Sequence, residues 1–268
     1  MDIENSKKNW DALGKDDPLW VILSRRDKKG NKWQLEEFFQ TGRDEVAALI
    51  RTIEFFNLGF VRGKVLDFGC GVGRLTQALA QHFEEVTGVD ISPSMLRLAK
   101  DCNNFGNRCK YLLNDTDDLG IFADECFDFI YTNITLQHIE PRFSKKYIKE
   151  FLRVLKPDGL LVFQLAESPS VKKRLNVLNE IRNLAKKVLP VPVILFYRWV
   201  KYHWKDSALP LTSAVPSGPV IEMHGIEHSR VIRFVEKNKG RIFGYMENKA
   251  SGEGWISYVY FVGKKPVA

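Results

Sequence analysis

The chain has 268 residues and 44% hydrophobic content, enough to bury a core and to exclude a disordered polymer. Its formal charge of +7 favours acidic partners such as nucleic acid, anionic lipid or phosphorylated substrates without choosing among them, and a solvated basic face accounts for it equally well. Cys70, Cys102, Cys109 and Cys126 lack C-x-x-C spacing and neighbouring histidines, so no metal is expected; no apolar run reaches the ~20 residues of a spanning helix or forms a secretory leader, and a cytoplasmic protein, peripheral to a membrane at most, is the expectation.

Residues 1–60 carry Trp10, Trp20, Trp33, Phe38 and Phe39 and then a helical stretch from about Arg43 to Phe56, which predicts a helical N-terminal cap. From Lys64 onward apolar β-rich runs alternate with helix-period runs, predicting strands at 64–69, 85–90, 109–114, 127–132, 159–166, 241–248 and 255–264. Leu75, Ala78 and Leu79 mark the buried face of one intervening helix, and Leu96, Ala99 and Cys102 that of the next. Phe143, Tyr147, Phe151 and Leu155 mark a third. Ser92-Pro93 reads as an N-cap with a first-turn proline, and Pro157-Asp158-Gly159 as the turn from a helix into the fifth strand.

Residues 168–225 interrupt this alternation, and a connection so much longer than the usual ~2–6 residues marks an insertion with a purpose. Val171, Leu175, Leu178, Ile181, Leu184 and Val188 give it an amphipathic helix. Between Lys172 and Lys205 nine basic residues face one acid, Glu180, and Phe196, Tyr197, Trp199, Tyr202 and Trp204 lie beside them. The segment 171–205 reads either as a substrate lid with wet lysines or as a surface for anionic membrane or a phosphate-bearing acceptor. Single-stranded nucleic acid fits less well, because no RNA-binding module is recognised.

Val65-Leu66-Asp67-Phe68-Gly69 runs from a buried strand into Gly69, Gly71 and Gly73, where a backbone without Cβ atoms lets a ligand approach the strand end. The dinucleotide fingerprint G-x-G-x-x-G fails, since position 74 is Arg74 and position 76 is Thr76. Asp90 ends the second strand, where a carboxylate can accept hydrogen bonds from two ribose hydroxyls. A nucleoside ligand without a pyrophosphate is implied.

Taken in order, Val65-Leu66-Asp67-x-Gly69-x-Gly71-x-Gly73, Gly88-Val89-Asp90-Ile91-Ser92-Pro93-Ser94-Met95, Asn114-Asp115, Phe127 to Asn133 and Leu155-Lys156-Pro157-Asp158-Gly159 resemble the class I S-adenosylmethionine-dependent methyltransferases. Any one of these motifs is weak; five in order over residues 60–166 are strong. The resemblance implies an α/β, Rossmann-like, doubly wound, seven-stranded and mostly parallel sheet over 61–268, with the insertion at 168–225 as a lid or acceptor-binding segment. It implies S-adenosylmethionine as cofactor and S-adenosylhomocysteine as product. Asp67, Gly69, Gly71 and Gly73 would hold its methionine half, Asp90 the ribose, and Ile91 and Met95 the adenine. Asn114, Asp115 and the Thr116 amide would read the adenine edge, and Asn133 would lie near the sulfonium. Arg43 is a candidate clamp for the cofactor carboxylate.

Methyl transfer from a sulfonium is an in-line displacement in which positioning supplies most of the catalysis. A hydroxyl acceptor gains from a general base, for which the candidates are His138 after the fourth strand, His224 at the end of the insertion, and Glu167 just past the fifth strand. The expected acceptor is a small-molecule hydroxyl, of a saccharide or other secondary metabolite. The alternatives are a lipid or quinone precursor at a membrane surface and a cofactor-binding protein without catalysis.

Overall fold

Parallel strands buried on both faces need continuous apolar runs, and Val65 to Phe68 of β1 (Lys64–Phe68) are all buried. With β2 (Glu85–Asp90), β3 (Cys109–Leu113), β4 (Phe127–Thr132), β5 (Leu155–Glu167), β6 (Gly240–Asn248) and β7 (Ile256–Lys264) it forms one seven-stranded sheet ordered β3-β2-β1-β4-β5-β7-β6. Pairings from β3 through to β5 are parallel, while β7 runs antiparallel to both β5 and β6. The computed structural model describes residues 3–167, 219, 221–248, 251–252 and 255–264.

Seven α-helices stand among the described residues: α1 (Ile3–Asp16), α2 (Pro18–Ile22), α3 (Leu35–Phe55), α4 (Arg74–Leu79), α5 (Pro93–Asp101), α6 (Pro141–Val154) and α7 (His228–Lys237). Successive strand side chains point to opposite faces, so Val65, Phe129 and Val162 join one core cluster and Leu66, Ile130 and Phe163 another. The first cluster takes in Leu49 and Ile53 of α3, Leu75 and Leu79 of α4 and Leu96 of α5. The second takes in Tyr147 and Phe151 of α6 and Val231 and Val235 of α7. No helix among the described residues is long and apolar enough to cross a membrane.

The seven expected strands are all present, and the doubly wound sheet is as the sequence implies. Three details differ. Helix α3 starts eight positions before Arg43 and packs into the sheet's core, so only α1, α2 and the start of α3 act as a cover. Pro157-Asp158-Gly159 is an irregularity within β5 rather than a turn before it, since Leu155 already pairs with Phe127 while the next pair is Leu160 with Phe129. The basic and aromatic stretch 171–205 lies outside the described residues.

Sheet order positions the site. From β1 the chain winds outward through β2 to β3 and then returns to the other side of β1 for β4. Such a reversal opens a crevice at the carboxyl ends of the central strands.

Candidate active site

Loops from four strand ends meet in that crevice: Gly69 to Gly71 after β1, Asp90 and Ile91 after β2, Asn114 after β3, and Asn133 to Thr135 after β4. They bound a cleft of about 1200 Å³, open mouth included. Ile3, Ser6 and Trp10 of α1 and Val21 and Ile22 of α2 line it from the N-terminal side.

The glycine turn takes its shape from left-handed backbone at Gly69 (φ +77°), Gly71 (φ +53°) and Gly73 (φ +82°). A Cβ on Gly69 would overlap Thr135, one on Gly71 would lie 2.6 Å from Ile22, and one on Gly73 would strike the Tyr111 hydroxyl. Gly71 N donates to Asp90 Oδ2 at 2.8 Å and Ser92 N to Oδ1 at 2.9 Å. Backbone amides thus fix the carboxylate at the end of β2, each oxygen retaining a lone pair for a hydroxyl donor. Burial raises the Asp90 pKa against the lowering effect of those amides.

Beneath the turn, Asp67 is buried and accepts the Thr76 hydroxyl at 2.6 Å; burial pushes its carboxyl up to about 7. Beside it, Glu45 of α3 accepts from Arg74 Nη2 (2.8 Å), the Tyr131 hydroxyl (2.9 Å) and Asn133 Nδ2 (2.7 Å). Arg74 is only 4% exposed, and its Nε and the Asn133 Oδ1 are buried without a partner. Buried polar groups without partners are costly, and Arg74 and Asn133 both line the cleft, so a cation and an amide there suit a ligand carrying a carboxylate and an ammonium. A carboxylate on Arg74 and an ammonium on Asn133 would be the α-amino acid end of S-adenosylmethionine. Asp90, its carboxylate held by two backbone amides, lines the same cleft, and the residues therefore fit that cofactor.

Two histidines stand in the wall. His138 Nδ1 lies 2.7 Å from the Glu222 carbonyl oxygen and its Nε2 3.2 Å from Gln137 Nε2, with Trp10 edge-on to the ring at 5.4 Å. Burial holds its pKa below the usual histidine value. His224 Nε2 lies 3.2 Å from Glu222 Oε2, and both residues face the cleft.

Of the residues expected from sequence, Gly69, Gly71, Asp90, Ile91, Met95, Asn114, Asn133, His138 and His224 line the cleft. Asp67 and Gly73 lie behind it, holding Thr76 and admitting Tyr111. Arg43 is elsewhere: mid-helix in α3, it is tied along its own helix to Gln40 and Glu36, and Arg74 occupies the wall instead. Asp115 points away to Lys7 of α1 at 2.7 Å, which lowers its pKa, and its neighbour Thr116 bonds to Asn114 and Asp118 and accepts the Tyr147 hydroxyl. Glu167 closes β5 outside the cleft, accepting the His228 amide at the start of α7. Glu45, Arg74 and Glu222 were not anticipated. A faint signal existed for Glu45, an acid between Gly42 and Leu49 on the buried stripe of α3.

A family model described as a methyltransferase domain matches residues 66–163. The malonyl-[acyl-carrier protein] O-methyltransferase of Buchnera aphidicola subsp. Baizongia pistaciae (strain Bp) is 38% identical over 116 residues, 43% of this chain and 42% of its own length. A demethylmenaquinone methyltransferase of Staphylococcus aureus (strain JH9) is 30% identical over 160 residues, 54% of this chain and 65% of its own. The chain thus spans under two thirds of each of these relatives. Among solved structures, magnesium protoporphyrin IX methyltransferase from Synechocystis PCC 6803 with bound S-adenosylhomocysteine aligns over 98% of this chain and 100% of its own, with a TM-score of 0.59 and 17% identity, a likeness of fold. Residues 66–163 thus match a methyltransferase domain, and the fold is like that of a solved methyltransferase with bound S-adenosylhomocysteine.

Proposed function

We propose that the chain is an S-adenosylmethionine-dependent methyltransferase whose acceptor is a small molecule with a hydroxyl on a flat apolar body, such as a quinol. One observation carries this reading. The cleft lined by Asp90 and Arg74 is also lined by Trp10, Ile139, Phe143 and Tyr147 and by His138 and His224, with Trp10 edge-on to His138. When bound, the cofactor supplies an electrophilic methyl group whose carbon–sulfur electron pair leaves with sulfur. The chain's own work is then to hold the acceptor oxygen in line, keep water out with α1 and α2, and accept a proton.

The apolar wall favours a quinol over the saccharide hydroxyl expected from sequence, and the relatives named for demethylmenaquinone support the same preference. The nine basic residues between Lys172 and Lys205 fit an enzyme that visits an anionic membrane, where such acceptors reside. Transfer of labelled methyl from S-adenosylmethionine to 1,4-dihydroxynaphthalene tests the proposal, with methyl glucoside as comparison. Methylation of the naphthalene diol is expected. Methylation of the sugar alone would restore the saccharide reading, and turnover of neither acceptor would leave a cofactor-binding protein.

A further inference from the structure

The two cleft histidines have different jobs, and a chain of hydrogen bonds that starts at a backbone amide tells them apart. Ile134 N, which can only donate, lies 3.1 Å from Gln164 Oε1. The other end of that amide, Gln164 Nε2, therefore donates to Gln137 Oε1 at 3.1 Å, and Ser251 Oγ donates to the same oxygen at 2.7 Å. Gln137, Gln164 and Ser251 are all buried, so the orientation is locked. Gln137 Nε2 must then be the donor toward His138 Nε2 at 3.2 Å. The His138 proton consequently sits on Nδ1, which donates to the Glu222 carbonyl at 2.7 Å. Both ring nitrogens of His138 are engaged by protein, and no lone pair is left for an acceptor proton.

His138 instead fastens the segment that carries its neighbour. His224 N donates to the Gln137 carbonyl at 2.7 Å, so residues 222 and 224 are tied to residues 138 and 137 by reciprocal bonds. On that segment Glu222 Oε2 faces His224 Nε2 at 3.2 Å. A carboxylate only accepts, so Nε2 carries the hydrogen. Nδ1 keeps its lone pair and has no hydrogen-bond partner among the described residues.

We propose that His224, oriented by Glu222, is the general base of the site, and that His138 is a positioning residue which docks the 222–224 segment. The inference rests on the methyl-transfer reading above. The acceptor O–H proton passes to His224 Nδ1, giving an imidazolium beside the Glu222 carboxylate. The oxygen electron pair forms the new O–C bond as the C–S bond breaks, with its pair staying on sulfur. The imidazolium returns its proton to water once product has left.

Long-range ¹H–¹⁵N spectra of the ring nitrogens, taken on the full chain saturated with S-adenosylhomocysteine, give the first test. A His138 proton on Nδ1 and a His224 proton on Nε2, with His224 Nδ1 unprotonated, are expected. A proton on His224 Nδ1 would overturn the assignment. The second test uses methyl transfer to 1,4-dihydroxynaphthalene by variants that still bind S-adenosylhomocysteine. His224→Gln should lower kcat by ~10²–10⁴-fold and give a rate that climbs about tenfold per pH unit as the acceptor ionises unaided. His138→Asn, which keeps a donor toward the Glu222 carbonyl, should cost no more than about tenfold, the worth of a single hydrogen bond. A His224→Gln profile shaped like wild type, or a His138→Asn loss as deep as that of His224→Gln, would overturn it. If wild-type protein methylates no acceptor, the methyl-transfer reading falls, and the ring spectra still decide the histidine assignment.

Discussion

Glu45 and Arg74 are 29 residues apart in sequence, and their side chains meet at 2.8 Å beneath the cleft wall. The arginine is held by a carboxylate on a helix outside the matched domain, the same carboxylate accepts from Asn133, and Arg74 Nε and Asn133 Oδ1 are both buried without a partner.

This arrangement predicts which part of the cofactor Arg74 reads. Arg74→Met should weaken S-adenosylhomocysteine binding by roughly 10–150-fold, the equivalent of a charged hydrogen bond worth about 1.5–3 kcal/mol. Binding of 5′-methylthioadenosine, which has no amino acid end, should stay as it was. Calorimetry with both ligands decides, and an equal loss for the two would show that the arginine only supports the fold.

Gly69 and Gly106 allow a controlled test of the glycine turn. Both have positive φ, +77° and +54°, but a Cβ on Gly69 would overlap Thr135 while one on Gly106 would meet nothing within 4 Å. Gly106→Ala should therefore cost only the backbone penalty of about 1–2 kcal/mol. Gly69→Ala should lower Tm further and abolish S-adenosylhomocysteine binding. Matching Tm losses would mean that the contact with Thr135 does not shape the turn.

Asp67 carries a pH dependence whose sign follows from burial. Its carboxyl is raised from the ordinary 3.8 to about 7, so between those values the folded chain holds a proton that the unfolded chain releases. The stability it contributes is complete below pH 3.8 and is lost as pH rises through 7. Asp67→Asn, which mimics the protonated form and can still accept from Thr76, should gain on wild type as pH rises from about 5 to 8. Thermal melts of the two proteins across that range would contradict the account if their Tm difference stayed constant.

The sequence made the sheet legible for a physical reason: strands buried on both faces, such as Val65 to Phe68, must be apolar without interruption, and glycines with positive φ have few substitutes. Asp90 was readable because its place at the end of β2 is set by that same pattern. Partnerships across the fold were not. Arg43 looks like a clamp until α3 is seen to begin at Leu35, which brings Glu36 and Gln40 onto its own face. Asp115 follows β3 as expected, but Lys7, 108 residues earlier, draws it outward. Glu222 carries no local motif at all; it matters because His138, 84 residues away, binds its carbonyl.

If this cleft holds a nucleoside amino acid, Asp90 is the residue that decides its affinity. Calorimetry on the full chain should show one S-adenosylhomocysteine bound per protein and no binding of NAD, with Asp90→Ala losing about 1.5–3 kcal/mol of affinity as its two ribose hydrogen bonds disappear. Wild-type protein that binds NAD as well as S-adenosylhomocysteine, or an Asp90→Ala variant with unchanged affinity, would contradict it.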